Sequence, residues 1–202
     1  RNDLKYRKLD FSFGKFGHRF VIVNTGKGHA DLSQEYSEIP EEMKAAAKVL
    51  GVELLHETTL DQLLAHVNEI TDDRAVLRAI HFFEETARVE RAADAIGEEN
   101  YTEFLKLMDE SGRSSWELLQ NCYSLQNCHE QKISLMLALT QLFLNKIGGG
   151  ICRVHGGGFA GVIATIVPET EMENYVAYIS QYVGKENVYP MDIRAVGAAH
   201  ID

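Results

Sequence analysis

The chain has 202 residues, of which 45% are hydrophobic, and a formal net charge of −10. This apolar content suffices for one substantial core, so we expect a single domain over residues 1–202. The negative charge argues against a nucleic-acid partner, because affinity for a phosphate backbone comes mainly from clustered Lys and Arg. No stretch approaches the roughly 20 apolar residues that cross a bilayer, and residues 1–12 contain no apolar signal core, so we expect no membrane partner and a cytoplasmic location.

The cysteines and histidines form no recognisable metal or redox motif. Three cysteines, Cys122, Cys128 and Cys152, are odd in number and fit no common zinc spacing, which favours reduced thiols. Cys128 and His129 are adjacent, but no second pair lies at ligand spacing. We therefore expect no metal site, and the sequence assigns no role to the individual histidines.

The first part of the chain predicts a strand followed by a helix. Residues 20–25 are β-branched and apolar and end at a glycine, which is typical of a buried strand. Ser37 can cap the next helix, with Pro40 in its first turn, and apolar residues then recur at helical spacing until Gly51 ends it.

The middle of the chain is predicted to be helical. Apolar positions mark one face of a long helix around residues 76–87 and of another around residues 101–108. Asn127 and Glu130 have the spacing of a capping box. They predict a central helix over residues 133–147, ending at Gly148.

The last quarter of the chain changes to strand-like periodicity. Residues 151–154 and 162–167 read as strands, and Thr170 with Glu173 predicts a helix cap. That helix ends near Gly184, and residues 188–196 supply a final strand. This order predicts an α+β fold in which an antiparallel sheet buries one face under several helices.

The loop between the two strands carries the most specific signal in the sequence. It contains Gly156, Gly157, Gly158, Phe159, Ala160 and Gly161. Its literal match to GxGxxG does not indicate a dinucleotide site, because the residues that follow are β-branched and end in a proline instead of opening a helix. Two interpretations stay open. The glycines supply positive φ angles in a hairpin connection, or they expose backbone N–H groups to a phosphate or a sugar.

The loop and three other segments resemble the GHMP small-molecule kinases, especially the galactokinases. HGGGFAG, residues 155–161, is similar to their third conserved motif. NTGKGHADLSQEY, residues 24–36, resembles the galactokinase segment whose Tyr contacts the sugar, which places that role on Tyr36. Residues 78–96 and 107–119 resemble two helices of the family, the second with the pattern L(M/L)xxSHxSL, so the similarity runs from about residue 20 to residue 201.

The resemblance implies a ferredoxin-like C-terminal domain on the substrate side of a sugar kinase. In the full-length enzyme, ATP, Mg²⁺ and galactose would be bound together with an N-terminal ATP-binding domain, and the γ-phosphoryl group would pass to the anomeric hydroxyl. The phosphate loop and the catalytic Asp and Arg of the family have no counterpart here, and the chain begins with Arg1. We therefore expect no catalytic residue in this chain, no tight binding of ATP or Mg²⁺, and no activity of the fragment alone.

Departures from the family pattern keep alternatives open. SEIPEEMK follows Tyr36 where many relatives begin an Arg-rich helix, and His155 stands where Thr is more familiar. Tyr36 could instead be an aromatic residue packed at a helix entry. Asn24 and His29 could hydrogen-bond within their own turn. The alternatives in function are a noncatalytic sugar-sensing module and a GHMP kinase for another small metabolite.

Overall fold

A computed structural model describes residues 8–26 and 32–193 of the chain. Within them, the strands are β1 (His18–Asn24), β2 (Ile151–His155), β3 (Val162–Pro168) and β4 (Val188–Met191). The helices are α1 (Ser33–Val49), α2 (Leu60–Ala65), α3 (Asp73–Gly97), α4 (Tyr101–Ser114), α5 (Lys132–Ile147) and α6 (Met172–Val183). No helix in the described part is long and apolar enough to cross a bilayer.

The four strands form one antiparallel sheet in the order β2-β3-β1-β4. The central strands β1 and β3 pair along their whole length, from His18 opposite Pro168 to Asn24 opposite Val162. Strands β1 and β2 are therefore parallel to each other with β3 inserted between them, which is the ferredoxin-like arrangement. The predicted α+β fold is confirmed.

Helices cover both faces of this sheet, whereas the sequence predicted that one face would be buried. On the first face, Val21, Val23 and Ile163 pack against α5 and α6. On the second face, Ile151 and Ile166 pack with residues of α3 and α4. The prediction of a single buried face was wrong. Strand β3 is instead buried at five consecutive positions, as a strand between two layers must be.

Part of the second face stays open at the edge strand β4. Tyr189 and Met191 lie opposite Ile22 and Phe20 of β1. Their side chains are 45% and 49% exposed, although neighbouring Val188 is buried in the first face. The helical cover of the second face thus extends over β2 and β3 and leaves apolar side chains of β4 in contact with solvent.

Helix α1 begins four residues before the predicted cap. Its first residue is Ser33, and Pro40 lies inside it instead of in its first turn. The Ser37 hydroxyl donates to the carbonyl of Gln34, 2.9 Å away, within the helix. Ion pairs from Glu38 and Glu42 to Arg74 of α3 hold the turns on either side of Pro40. These contacts stabilise a helix through a residue that cannot donate a backbone hydrogen bond.

At two other predicted caps, the residues lie in turns that precede the helices instead of capping them. The Glu130 N–H donates to the Asn127 carbonyl, 3.1 Å away, and α5 begins only after Gln131. Thr170 lies in a 3₁₀ turn, Glu169–Glu171, directly before α6. Asn and Thr are also common in such turns, so the spacing alone could not separate the two cases. The predicted helix ends at Gly148 and Gly184 are confirmed.

Candidate functional site

The glycine loop connects the paired ends of β2 and β3, where His155 lies opposite Val162. Gly156, Gly158 and Gly161 all have positive φ, at 77°, 83° and 102°. Phe159 also has a positive φ of 57°, which is uncommon for a residue with a side chain. The hairpin interpretation therefore accounts for part of the glycine content, since the backbone turns through conformations that favour glycine.

Close packing inside the protein accounts for two of the glycines. A Cβ atom on Gly157 would lie 2.5 Å from Cε1 of Tyr36. A Cβ atom on Gly158 would lie 2.1 Å from the backbone oxygen of Asn121. Both distances are far below van der Waals contact, so Tyr36 and Asn121 occupy the space that side chains at these two positions would need.

Tyr36 lies against the loop, although 122 residues separate it from its partner in the sequence. Its hydroxyl donates to the carbonyl of Gly158, 2.8 Å away. Its ring meets the Phe159 ring edge to face, with centroids 5.4 Å apart. Burial, and secondarily the charge of Glu35, raises the pKa of the Tyr36 phenol, so the hydroxyl stays protonated at neutral pH. The structure thus brings together the two regions that the sequence assigned to one site.

The six loop residues divide into an exposed and a buried part. Gly156 and Gly157 are exposed, whereas Gly158, Phe159, Ala160 and Gly161 are buried. The Ala160 N–H donates to the Gly158 carbonyl, 2.6 Å away. In the buried part, the backbone is therefore engaged with the protein, and the exposed part is the one that a ligand can approach.

Asn121, in the segment after α4, anchors the loop and was not predicted from the sequence. Its side-chain amide donates to the Gly157 carbonyl at 3.1 Å, and its backbone carbonyl accepts from the Phe159 N–H at 2.5 Å. The preceding residue, Gln120, has a left-handed conformation with φ of 59°, which ends a π-helical turn and directs Asn121 towards the loop. No local pattern in the sequence marks this residue.

Glu35 is a second residue that the sequence did not single out. It is 3% exposed and follows Gln34 in the first turn of α1, next to Tyr36. One carboxylate oxygen hydrogen-bonds the Ser124 hydroxyl, and the other, Oε2, is buried without a partner in the described part of the chain. Buried carboxylates are rare unless they are paired, so Glu35 is a further residue of interest beside the loop.

The strand end beside the loop is fixed by local hydrogen bonds. The Asn24 side chain accepts from the Gly26 N–H at 3.0 Å, within its own turn, which is the local role that the sequence allowed. The N–H and the hydroxyl of Thr25 both donate to the Gly161 carbonyl, each at 2.8 Å. His29 lies outside the described residues.

The cysteines and the acidic residues offer no metal centre in the described part of the chain. All three cysteines are free thiols. Burial raises the pKa of Cys122 and of Cys152 to about 12, whereas Cys128 is exposed. No group of three or more His, Cys, Asp or Glu side chains among residues 8–26 and 32–193 is arranged to hold a metal ion.

Comparison with known proteins finds galactokinases that are similar to this chain. The chain is 27% identical over 175 residues to a galactokinase of Actinobacillus pleuropneumoniae, covering 84% of this chain and 42% of the relative. It is 30% identical over 155 residues to that of Mannheimia succiniciproducens, covering 76% and 38%. The galactokinase of Limosilactobacillus reuteri is 29% identical over 178 residues, covering 86% and 42%. No family model matches the chain.

A solved structure shares the fold. The crystal structure of Lactococcus lactis galactokinase complexed with galactose superposes with a TM-score of 0.72 and 23% sequence identity, covering 94% of this chain and 48% of that one. The chain thus spans less than half the length of the relatives that it matches. By sequence and by fold, this chain is related to the galactokinases and corresponds to their C-terminal part.

Proposed function

We propose that this chain is the C-terminal part of a galactokinase that acts in the cytoplasm. The whole protein would transfer the γ-phosphoryl group of ATP to the anomeric hydroxyl of galactose, with Mg²⁺ as the cation. The observation that carries the proposal is the direct contact of Tyr36 with the glycine loop, because it joins two segments that each resemble galactokinase motifs. The three free cysteines agree with a reducing compartment.

The contact gives the chain two adjoining walls of a binding cleft. Gly156 and Gly157 are the exposed part of the loop and would face the phosphate side, where backbone groups without side chains can approach closely. Tyr36 would face the sugar side. Because its hydroxyl is bonded to Gly158, the two walls are held at a fixed separation, which is the positioning that phosphoryl transfer depends on.

The remaining parts of the active site would come from the N-terminal part of the parent protein. A phosphoryl transfer needs a cation site and charge stabilisation around the transferred group as well as positioning. In the described residues, no carboxylate cluster suits a cation. The apolar side chains of Tyr189 and Met191, left exposed on the second face of the sheet, suit a surface that another domain covers.

The test is ATP-dependent phosphorylation of a panel of sugars and other small alcohols by the whole protein and by the 202-residue chain. We expect turnover of galactose by the whole protein and none by the chain alone. Robust turnover by the chain would refute its proposed incompleteness. Sugar binding without turnover by the whole protein would favour a sensor, and turnover of another alcohol would favour a different metabolite kinase.

A variant of the whole protein tests the role of Tyr36. Tyr36→Phe should raise the KM for the sugar several-fold, because the wall that it forms loses its hydrogen bond to the loop. Tyr182→Phe, on an exposed tyrosine of α6, is the matched control and should leave the KM unchanged. Equal effects of the two variants would remove Tyr36 from the proposed site.

A further inference from the structure

Arg78, near the start of α3, is a buried charge that does not itself touch the glycine loop. Its side chain is 1% exposed, and it is the largest of the fully buried side chains in the described part of the chain. A buried guanidinium lowers stability unless its donors are paired, and apolar residues of similar size often replace such a group without loss. The partners of Arg78 therefore indicate what the charge contributes.

Two donors of Arg78 join α1 to the segment that carries Asn121. Nη1 donates to Oε2 of Glu42 in α1, 2.8 Å away. Nε donates to the backbone carbonyl of Leu119, 3.2 Å away, which is the last residue of the π-helical turn Ser115–Leu119. Asn121 follows shortly afterwards, so Arg78 holds the chain directly before the residue that anchors the glycine loop.

The peptide group between Leu119 and Gln120 is held at both of its ends. Its carbonyl accepts from Arg78, and its N–H donates to the Ser115 carbonyl, 2.9 Å away. Gln120 has a φ of 59°, which is uncommon for a residue with a side chain. Because a rotation of this rigid peptide plane would change the φ of Gln120 and the direction of the chain after it, the two bonds fix where Asn121 lies.

Helix α1 thus reaches the glycine loop by two routes. In its first turns, Tyr36 donates directly to the Gly158 carbonyl at 2.8 Å. Further along the helix, Glu42 holds Arg78, and Arg78 holds the segment of Asn121, which bonds to the loop. The loop is therefore fixed relative to α1 by a closed set of contacts, and loss of one route leaves only the other.

We propose that Arg78 is a positioning residue, which holds Asn121, and through Asn121 the glycine loop, at a fixed place beside Tyr36. Arg78 is buried and does not contact the substrate. Its effect on catalysis rests on the proposed function, in which the exposed part of the loop faces the phosphate side. In such a site, a displacement of about 1 Å can lower the rate by up to about 100-fold.

Hydrogen exchange measures the placement of the loop independently of any activity. The Phe159 N–H is bonded to the Asn121 carbonyl, so a peptide that covers residues 156–161 reports on this contact. In the whole protein, Arg78→Met should raise the exchange rate of this peptide about tenfold and leave a peptide from α5, on the first face of the sheet, unchanged. An unchanged loop would overturn the proposal. Equal acceleration of the loop and α5 would also overturn it, because it would show a general loss of stability.

Arg74→Met is the matched control on the same helix. Among the described residues, the Arg74 side chain bonds to Glu38 and Glu42 of α1 and not to the π-helical turn. This variant weakens the same pairing of α1 with α3, but it should leave the exchange of the loop unchanged. Equal acceleration of the loop by both variants would overturn the route through Leu119.

A milder pair of variants gives the same comparison if Arg78→Met does not fold. Glu42 pairs with Arg78, whereas Glu38 pairs with Arg74. Glu42→Gln should therefore accelerate exchange of the loop about threefold, and Glu38→Gln should not. Equal rates in these two variants would overturn the proposal.

Kinetics of the whole protein test the consequence for catalysis. Arg78→Met should lower the kcat for phosphorylation of galactose about tenfold, whereas Arg74→Met should change it less than about twofold. A loop that exchanges faster at an unchanged kcat would overturn the catalytic part of the proposal. If the unmodified whole protein phosphorylates no substrate, the proposed function fails, and hydrogen exchange still decides whether Arg78 holds the loop.

Discussion

Replacing Gly158 by alanine tests whether the loop is fixed by its contact with Asn121. The new Cβ would lie 2.1 Å from the backbone oxygen of Asn121, on a residue whose φ is +83°. Backbone atoms cannot rotate away as a flexible side chain can, so the loop or the Asn121 segment must shift by about 1 Å to restore van der Waals contact. Gly156→Ala is the matched control, because Gly156 has a similar φ of +77° and open space around the new atom.

The expected cost follows from the contacts that the shift breaks. The left-handed conformation costs an alanine about 1–2 kcal/mol at either position. At Gly158, the shift also breaks the bonds from the Phe159 N–H to Asn121 and from the Asn121 amide to Gly157. Two such hydrogen bonds contribute about 0.5–1.5 kcal/mol each. Gly158→Ala should therefore lower the free energy of unfolding by about 2–5 kcal/mol, against about 1–2 kcal/mol for Gly156→Ala.

Urea unfolding followed by circular dichroism measures both variants under the same conditions, and thermal unfolding provides a second measurement. At this chain length, each kcal/mol should lower the Tm by about 2–4 °C. The reasoning is refuted if the two variants lose the same stability, because the close approach to Asn121 would then have no energetic consequence.

Three further predictions concern single side chains. Tyr36→Phe removes the donor to Gly158 and should lower the free energy of unfolding by about 0.5–1.5 kcal/mol in the same urea assay. An unchanged free energy of unfolding would show that this hydrogen bond makes no net contribution to stability. Burial lowers the pKa of His81 below that of the unfolded chain, so the unfolded state binds a proton first and stability should fall as the pH drops below about 6.5. His81→Gln should reduce that fall in urea titrations between about pH 7.5 and 5, whereas His56→Gln, at an exposed position, should not. In the folded chain, a thiol reagent at about pH 8 should label exposed Cys128 rapidly and buried Cys122 only after unfolding, and rapid labelling of Cys122 would contradict its burial.

The strands and most helix ends could be predicted from the sequence because they depend on local patterns. A change of hydrophobic period marks β2 and β3, and glycine with positive φ ends α5 and α6. The starts of α1, α5 and α6 could not be predicted in the same way. Ser37, Asn127 and Thr170 have the right chemistry for a cap, but that chemistry also suits an internal helix bond or a preceding turn.

The candidate site could be predicted only at the residues that lie in segments resembling galactokinase motifs. Tyr36 and the loop each matched a motif, and the structure places them in contact. Asn121 and Glu35 were missed because their importance arises from non-local contacts, with a loop 36 residues away in one case and with Ser124, 89 residues away, in the other. The sequence does indicate that helices cover both faces of the sheet, because apolar and polar residues do not alternate along β3.

The strand order delays the pairing of β1 while the chain is being synthesised. Strand β1 is synthesised early in the chain, but both of its neighbours, β3 and β4, begin only at Val162 and Val188. At about 5–20 residues per second, a ribosome needs roughly 7–28 s after β1 to reach the first of them. During that interval, an apolar strand has left the ribosomal tunnel without a partner while the helices between fold beside it. Nascent chains stalled before and after β4 should therefore differ sharply in protease resistance.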